Sequence, residues 1–270
     1  MNLALFIHTW RANRTRVLVV AVALAIWGTF LPIIYDSFGS TFQDIFDSGA
    51  FPPQLAQFAQ FGGGDIFSLS GSVAIGFIHP IAVGLNLVFA VGFTTAAIAG
   101  ERQRGTLEVL LSRPISRRVV YGTLAVSGAL FVGIVILGSI IGSVIGASLT
   151  GRLAELGVSQ LPLLWLNGAL LYWAIGAIAL LASASFDRLS PAIGLSLAFV
   201  LISYFLDVLG SLWPDAKGLQ PYSLFHYLDP KAILAGFPDA GDFIVLGVVM
   251  VVAVVATLFV FPRRDLAAPS

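Results

Sequence analysis

An all-α, polytopic membrane protein with six transmembrane helices is the fold class that this sequence predicts. Three observations point to it. The first is composition: 58% of the 270 residues are hydrophobic and 10% charged, with a mean hydropathy of +0.95, whereas soluble domains carry about 25% charged residues. The second is the length of the charge-free runs. Residues 66–100 and 119–151 contain no Asp, Glu, Lys or Arg, and about 18 or more apolar residues suffice to cross a ~30 Å hydrocarbon core as a helix. The third is how the charge divides between the connecting segments.

Six apolar segments are predicted to span: 17–35, 73–98, 119–147, 163–184, 189–206 and 243–261. An even number places both termini on one side. With those termini lie Arg11, Arg14, Arg16, Arg102, Arg104, Arg113, Arg117, Arg118, Arg188, Arg263 and Arg264, against only Arg152, Lys217 and Lys231 on the other side. Four of the 14 acidic residues (Glu101, Glu108, Asp187 and Asp265) accompany the basic side. The positive-inside rule then puts both termini in the cytoplasm of a multi-pass cell-membrane protein. The chain reads as a single transmembrane domain over residues 1–270.

Residues 1–16 precede the first span. Leu3, Phe6, Ile7 and Trp10 recur at helical spacing, with Arg11, Asn13 and Arg14 following on a more polar side, so an amphipathic helix lying in the cytoplasmic interface is expected. The alternative is a simple continuation of the first span; three arginines at depth weigh against it. The apolar run after Arg16 is longer than the ~7–15 residues of a signal-peptide core, and it reads as an anchor. Residues 36–72, with Phe51-Pro-Pro and Gly62-Gly-Gly64, and residues 207–242, with Trp213-Pro, Pro221-Tyr, Asp229-Pro and Phe237-Pro, form the two larger outside loops. Short interfacial helices, re-entrant turns and plain connections all suit that composition.

Between the second and third spans lies a cytoplasmic loop, 99–118, that holds seven of the 28 charged residues. Leu107, Leu110 and Leu111 give one apolar face to a short helix. Thr106 is placed as its N-cap and Glu108 falls in its first turn, where the helix dipole favours a carboxylate. Gly105 permits a sharp break before this helix, Pro114 ends it, and Ser116 can cap the third span. Leucines on one side and charges on the other suit a groove on a partner; a positive-inside anchor without a partner is the other reading.

Within the spans, ionisable chemistry is nearly absent. His79 is the one titratable group well inside a predicted span, so no ion-coupling site of the kind pumps use is evident. His79-Pro80 is expected to kink the second span. Asn86 and Asn167 are read as hydrogen-bond links between helices, or as groups facing a cavity. Gly138, Gly142 and Gly146 form two overlapping small-residue steps on the third span, for packing inside the chain or between subunits. The chain has no cysteine, which excludes disulfides, thiolate chemistry and cysteine-based metal sites. It has no G-x-x-x-x-G-K-[ST] phosphate loop, no G-x-S-x-G and no H-E-x-x-H. No metal or cofactor of its own and no nucleic-acid partner are expected; if the chain moves something, another subunit supplies the energy.

The stretch Glu101-Arg-Gln-Arg-Gly-Thr-Leu-Glu-Val-Leu-Leu-Ser-Arg-Pro-Ile-Ser-Arg resembles the E-x-x-x-G-T-L-E-x-L-L-x-x-P-x-x-R segment of ABC-2 type transporter permeases, and it stands where that family has it. Leu219-Gln-Pro-Tyr-Ser-Leu-Phe-His-Tyr-Leu-Asp-Pro230 is similar to the family's S-P-F-x-Y-x-x-P region, with Gln-Pro-Tyr-Ser in place of a clean Ser-Pro. The resemblance implies a permease subunit working with a separate ABC ATPase, which binds the ATP and Mg, and with a second permease copy or paralogue. By the same match the loop is a coupling helix between spans two and three, with Glu101, Arg104, Gly105, Thr106, Leu107, Glu108, Leu111, Arg113 and Pro114 passing nucleotide-driven motion to the spans. An exporter of hydrophobic or amphiphilic small molecules, such as drugs or antibiotics, is the function this implies. The alternative is a membrane scaffold or sensor that docks a cytoplasmic partner without transport.

Overall fold

The computed structural model describes residues 1–48, 68–112 and 114–264, and every regular element among them is helical. The elements are α1 (Leu3–Asp47), α2 (Leu69–Ile78), α3 (Pro80–Leu87), two π-helical stretches (Val88–Phe93 and Ala96–Gly100), α4 (Thr106–Leu111), α5 (Arg117–Leu149), α6 (Leu161–Ser185), α7 (Leu189–Leu212), α8 (Pro230–Leu234) and α9 (Ala240–Arg263). Five helices are long and apolar enough to cross a membrane. A sixth crossing forms if Leu69–Ile78 and Pro80–Phe93, bent by 45° at His79, count as one broken span. Phe51-Pro-Pro and Gly62-Gly-Gly64 lie outside the described residues.

The first helix departs from the expected arrangement. In place of an interfacial helix followed by a separate span, α1 runs unbroken for 45 residues, through Pro32. Nothing in 3–16 breaks a helix: the segment has neither Gly nor Pro. Tertiary contacts then hold it alongside α5. The backbone N–H of Asn2 donates to Thr123 Oγ1 at 2.9 Å, Leu5 and Thr9 are buried, and Trp10 stacks on Phe131 with centroids 5.8 Å apart. Arg11, Arg14 and Arg16 remain exposed.

α1 and α5 lie parallel and close, and small residues make this approach achievable. A Cβ added at Gly138, Gly142 or Gly146 would stand 2.3, 2.1 or 2.5 Å from the carbonyl oxygens of Ala21, Ala25 and Thr29, and one at Gly28 would stand 2.6 Å from that of Ser139. The Thr29 hydroxyl donates to Gly142 O at 3.1 Å across the seam. The glycine ladder therefore serves packing within the chain, the first of the two readings it allowed. Beyond the seam, Arg152 bonds Asp36 at 2.9 Å; the carboxylate and neighbouring charges hold its guanidinium pKa above the ordinary value.

Around this pair the core fills with aromatic and aliphatic side chains. Phe131 meets Phe89 and Phe93 edge-on at 5.6 and 5.1 Å, and the Trp165 indole donates to Gly133 O at 2.8 Å. Tyr121 of α5 donates to Val254 O of α9 at 3.1 Å. Asn2 and Arg264 approach the end of the bundle that carries α4: Asn2 through Thr123, and Arg264 through its own carbonyl, which accepts from Arg117 at 2.8 Å.

Residues 213–239 fold back onto the opposite end as 3-10 turns (Pro214–Tyr222, Phe225–Tyr227) and α8. Leu224, Phe225, Leu228, Ile233 and Leu234 are buried, and Ser203 accepts from the Leu224 N–H at 2.8 Å. Burial rules out a plain connection. This geometry carries a topology prediction: single cysteines at Ser48 and Ala216 react with a membrane-impermeant maleimide added outside intact cells. Cysteines at Ser112 and at Ala268, which lies outside the described residues, react only after permeabilisation. Reversed labelling contradicts the orientation.

Candidate functional site

The site is assembled at the end of the second span. Pro80 cannot donate to the Gly76 carbonyl, so the ladder opens there. Two neighbouring helices close it: the Trp27 indole N–H donates to Gly76 O at 3.0 Å and the Tyr204 hydroxyl to Ile78 O at 3.3 Å. His79 caps α3, its Nδ1 accepting from the Ile81 N–H at 3.2 Å, and its ring stacks on Trp27 at 4.8 Å. His79 is thus structural at this hinge. The expected kink is present, with its compensation supplied by α1 and α7.

Past the π-helical stretches, a single turn (Glu101–Gln103) leads into the loop. Glu101 organises the reversal beyond it. Its side chain pairs with Arg104, and the Thr106 hydroxyl donates both to its carboxylate, at 2.5 Å, and to its backbone carbonyl, at 3.0 Å. Those bonds stabilise the turn at Gly105, whose φ of +73° suits glycine. Gly105, rather than Thr106, is therefore the N-cap residue of α4; the threonine hydroxyl is drawn back to Glu101 instead of capping forward.

The six-residue α4 turns its apolar side inward. Leu107 is 1% exposed and Leu110 and Leu111 pack partly against the core, while Glu108, Val109 and Ser112 are exposed. This corrects the picture of leucines offered to a partner groove. They anchor α4 on its own bundle because the bundle supplies the nearer apolar surface. The face left for a partner is mixed: Arg104, Gly105, Thr106, Glu108, Val109, Ser112 and Pro114 are all exposed. Arg113 lies outside the described residues. Ser116 caps α5 as expected, accepting from the Val119 N–H at 3.4 Å.

A network at the base of this loop joins residues that the sequence leaves far apart. Asp187, in the turn between α6 and α7, accepts from Arg102 and from Arg264, each at 2.9 Å. The Arg102 side chain is only 8% exposed. Gln103 Oε1 accepts from the Leu189 N–H at 2.9 Å, and Arg264 also donates to Ala184 O at 3.3 Å. Sequence reasoning assigned no site role to Arg102, Gln103, Asp187 or Arg264. The sequence held no signal that set Asp187 apart from Glu101, Glu108 and Asp265 on the same side.

Asn86 and Asn167 are buried but serve different neighbours. Asn86 Nδ2 donates to Ala82 O of its own helix at 2.9 Å, and Asn167 Nδ2 to Tyr227 O at 3.0 Å, tying α6 to the folded-back segment. The bonds of His79, Asn86 and Asn167 thus join none of the three to another.

Five membrane-long helices, with a sixth crossing counted from the hinged pair, and a short helix in the loop before α5 make this a multi-pass membrane protein. The profile of the family described as ABC-2 family transporter protein matches residues 6–266, and the chain belongs to that family. No curated protein and no solved structure matches it.

Proposed function

We propose that this chain is the permease subunit of an ATP-driven exporter of hydrophobic or amphiphilic compounds, energised by a separate ABC ATPase subunit that docks on α4 and its flanks. Family membership supports the permease role. The observation that carries the docking role is the construction of α4: Leu107 is seated in the bundle, Glu101 braces the Gly105 reversal, and a mixed face from Arg104 to Ser112 is left uncovered. A helix fastened on one side and exposed on the other can take a push and deliver it to the second span.

The apolar spans support the substrate class. Charged groups in hydrocarbon are costly, so a path through such helices favours solutes that bring few charges. We place the path between two permease copies or paralogues, since closed twofold assembly is the common solution for oligomers. Exposed apolar residues on α7 (Leu201, Ile202, Phe205) and α9 (Val248, Val252, Phe259) supply surface for lipid or a second copy.

The experiment is uptake of a fluorescent amphiphilic dye into inside-out vesicles containing the chain and its co-expressed ATPase. Uptake is expected with ATP and absent with a non-hydrolysable analogue. ATPase binding without ATP-dependent movement of any amphiphile in a graded series would favour the scaffold instead.

A further inference from the structure

Between the His79 hinge and the loop, the second span is not wound as an α-helix: Val88–Phe93 and Ala96–Gly100 are π-helical. Such segments are short and uncommon, and they are frequent at functional sites. At the second stretch a side chain from another helix stands inside the ladder. The Ser183 hydroxyl of α6, fully buried, accepts from the Ala99 N–H at 2.9 Å and donates to Thr95 O at 2.7 Å. Thr95 and Ala99 are four residues apart, so these are the two groups that would pair with each other in an α-helix. The hydroxyl has replaced one ladder bond by two bonds of its own, and it joins span two to span four.

One turn further along, Asp187 holds Arg102 and Arg264. Ser183 grips the backbone just before Glu101, and Asp187 grips the side chain just after it. The two attachments flank Glu101, at the start of the turn that α4 hangs from; Arg264 carries the Asp187 contact to the end of α9, and Gln103 of the same turn accepts from the Leu189 N–H at the start of α7.

We infer that Ser183 and Asp187 are positioning residues of the coupling step: segment 183–187 clamps the end of span two and carries displacement of α4 into spans four, five and six. This rests on the coupling reading of the 99–118 loop. Without the Ser183 hydroxyl, Ala99 N–H and Thr95 O can pair directly. The stretch then rewinds as an α-helix, and a push on α4 is absorbed as local rotation of the Glu101–Gln103 turn. Without the Asp187 charge, Arg102 and Arg264 lose the anion they share; the tie from the Glu101–Gln103 turn to α9 weakens, and Arg264 is left with Ala184 and Arg117.

The test uses the complex of the chain with its ATPase in lipid nanodiscs. Because the chain has no cysteine, spin labels go on single cysteines at Ser112, beside α4, and at Ala216, at the opposite end. In the wild type, ATP with vanadate is expected to change the label spectrum at both sites. In Ser183→Ala the change at Ser112 persists and the change at Ala216 is lost, while thermal unfolding and ATPase binding stay as in the wild type; Asp187→Asn gives the same split. A wild-type response at Ala216 in both variants overturns the inference alone. Loss of the response at both sites in the variants overturns it as well, because the damage is then not selective. Silence at Ser112 in the wild type overturns the coupling reading, and the inference with it.

Discussion

Among glycine-to-alanine substitutions at the described residues, Gly142→Ala is expected to be the most destabilising. The new Cβ would lie 2.1 Å from Ala25 O, 2.7 Å from its carbonyl carbon and 2.8 Å from its Cα. All three are backbone atoms, so no rotamer change relieves the clash; α1 and α5 must separate. Overpacking of a well-packed core costs about 1–3 kcal/mol, more where the backbone resists. Separation also loses the Thr29–Gly142 hydrogen bond, on the order of 0.6 kcal/mol in a membrane protein. A summed loss of several kcal/mol corresponds to a fall in apparent Tm of roughly 10 °C for a chain of this size. Gly122→Ala, on the same helix with no heavy atom within 4 Å of the new Cβ, is expected to be neutral or slightly stabilising, because alanine favours a helix over glycine by about 1 kcal/mol. Thermal unfolding in one detergent measures both; equal Tm for the two variants contradicts the seam.

Glu108→Lys is expected to leave the fold intact and to uncouple the transporter. Glu108 is exposed in the first turn of α4, on the face turned from the bundle. Its reversal changes the charge offered to a partner while touching no core residue. Truncating or reversing one partner of a desolvated charge pair costs about 2–5 kcal/mol at an interface, roughly 30-fold or more in affinity. Leu107→Asp acts by another route. Leu107 is 1% exposed within its own bundle, so the carboxylate meets apolar neighbours and α4 lifts from its seat. Both variants should insert in the membrane and lose ATP-driven transport. Leu107→Asp alone should also lower the thermal stability of the isolated permease.

Much of the architecture was legible because hydrocarbon leaves little choice. Charge-free runs of the right length mark spans, and the Glu101–Arg117 motif marks its loop. Ser116 before the third span announced its cap, and Pro80 announced the break. What answered the break was not legible, since the Trp27 and Tyr204 donors lie on other helices and at no fixed spacing. The unbroken α1 escaped for a related reason. Local amphipathicity in 3–16 argued for the interface, while the partner that holds those residues, α5, is more than a hundred positions away. π-winding leaves no hydrophobic period, and a serine such as Ser183 in an apolar helix looks ordinary until its hydroxyl is found inside another helix's ladder. The inward turn of Leu107 likewise needed the bundle: a leucine face on a short helix fits its own protein and a partner equally well.

Docking of the ATPase on α4 is read out by co-purification of that subunit with an affinity-tagged permease. The wild type is expected to retain the ATPase through washing, whereas Glu108→Lys and Leu107→Asp, at equal membrane levels, lose most of it. Retention by both variants at the wild-type ratio would contradict docking on α4, and would leave the 99–118 loop as a topology anchor alone.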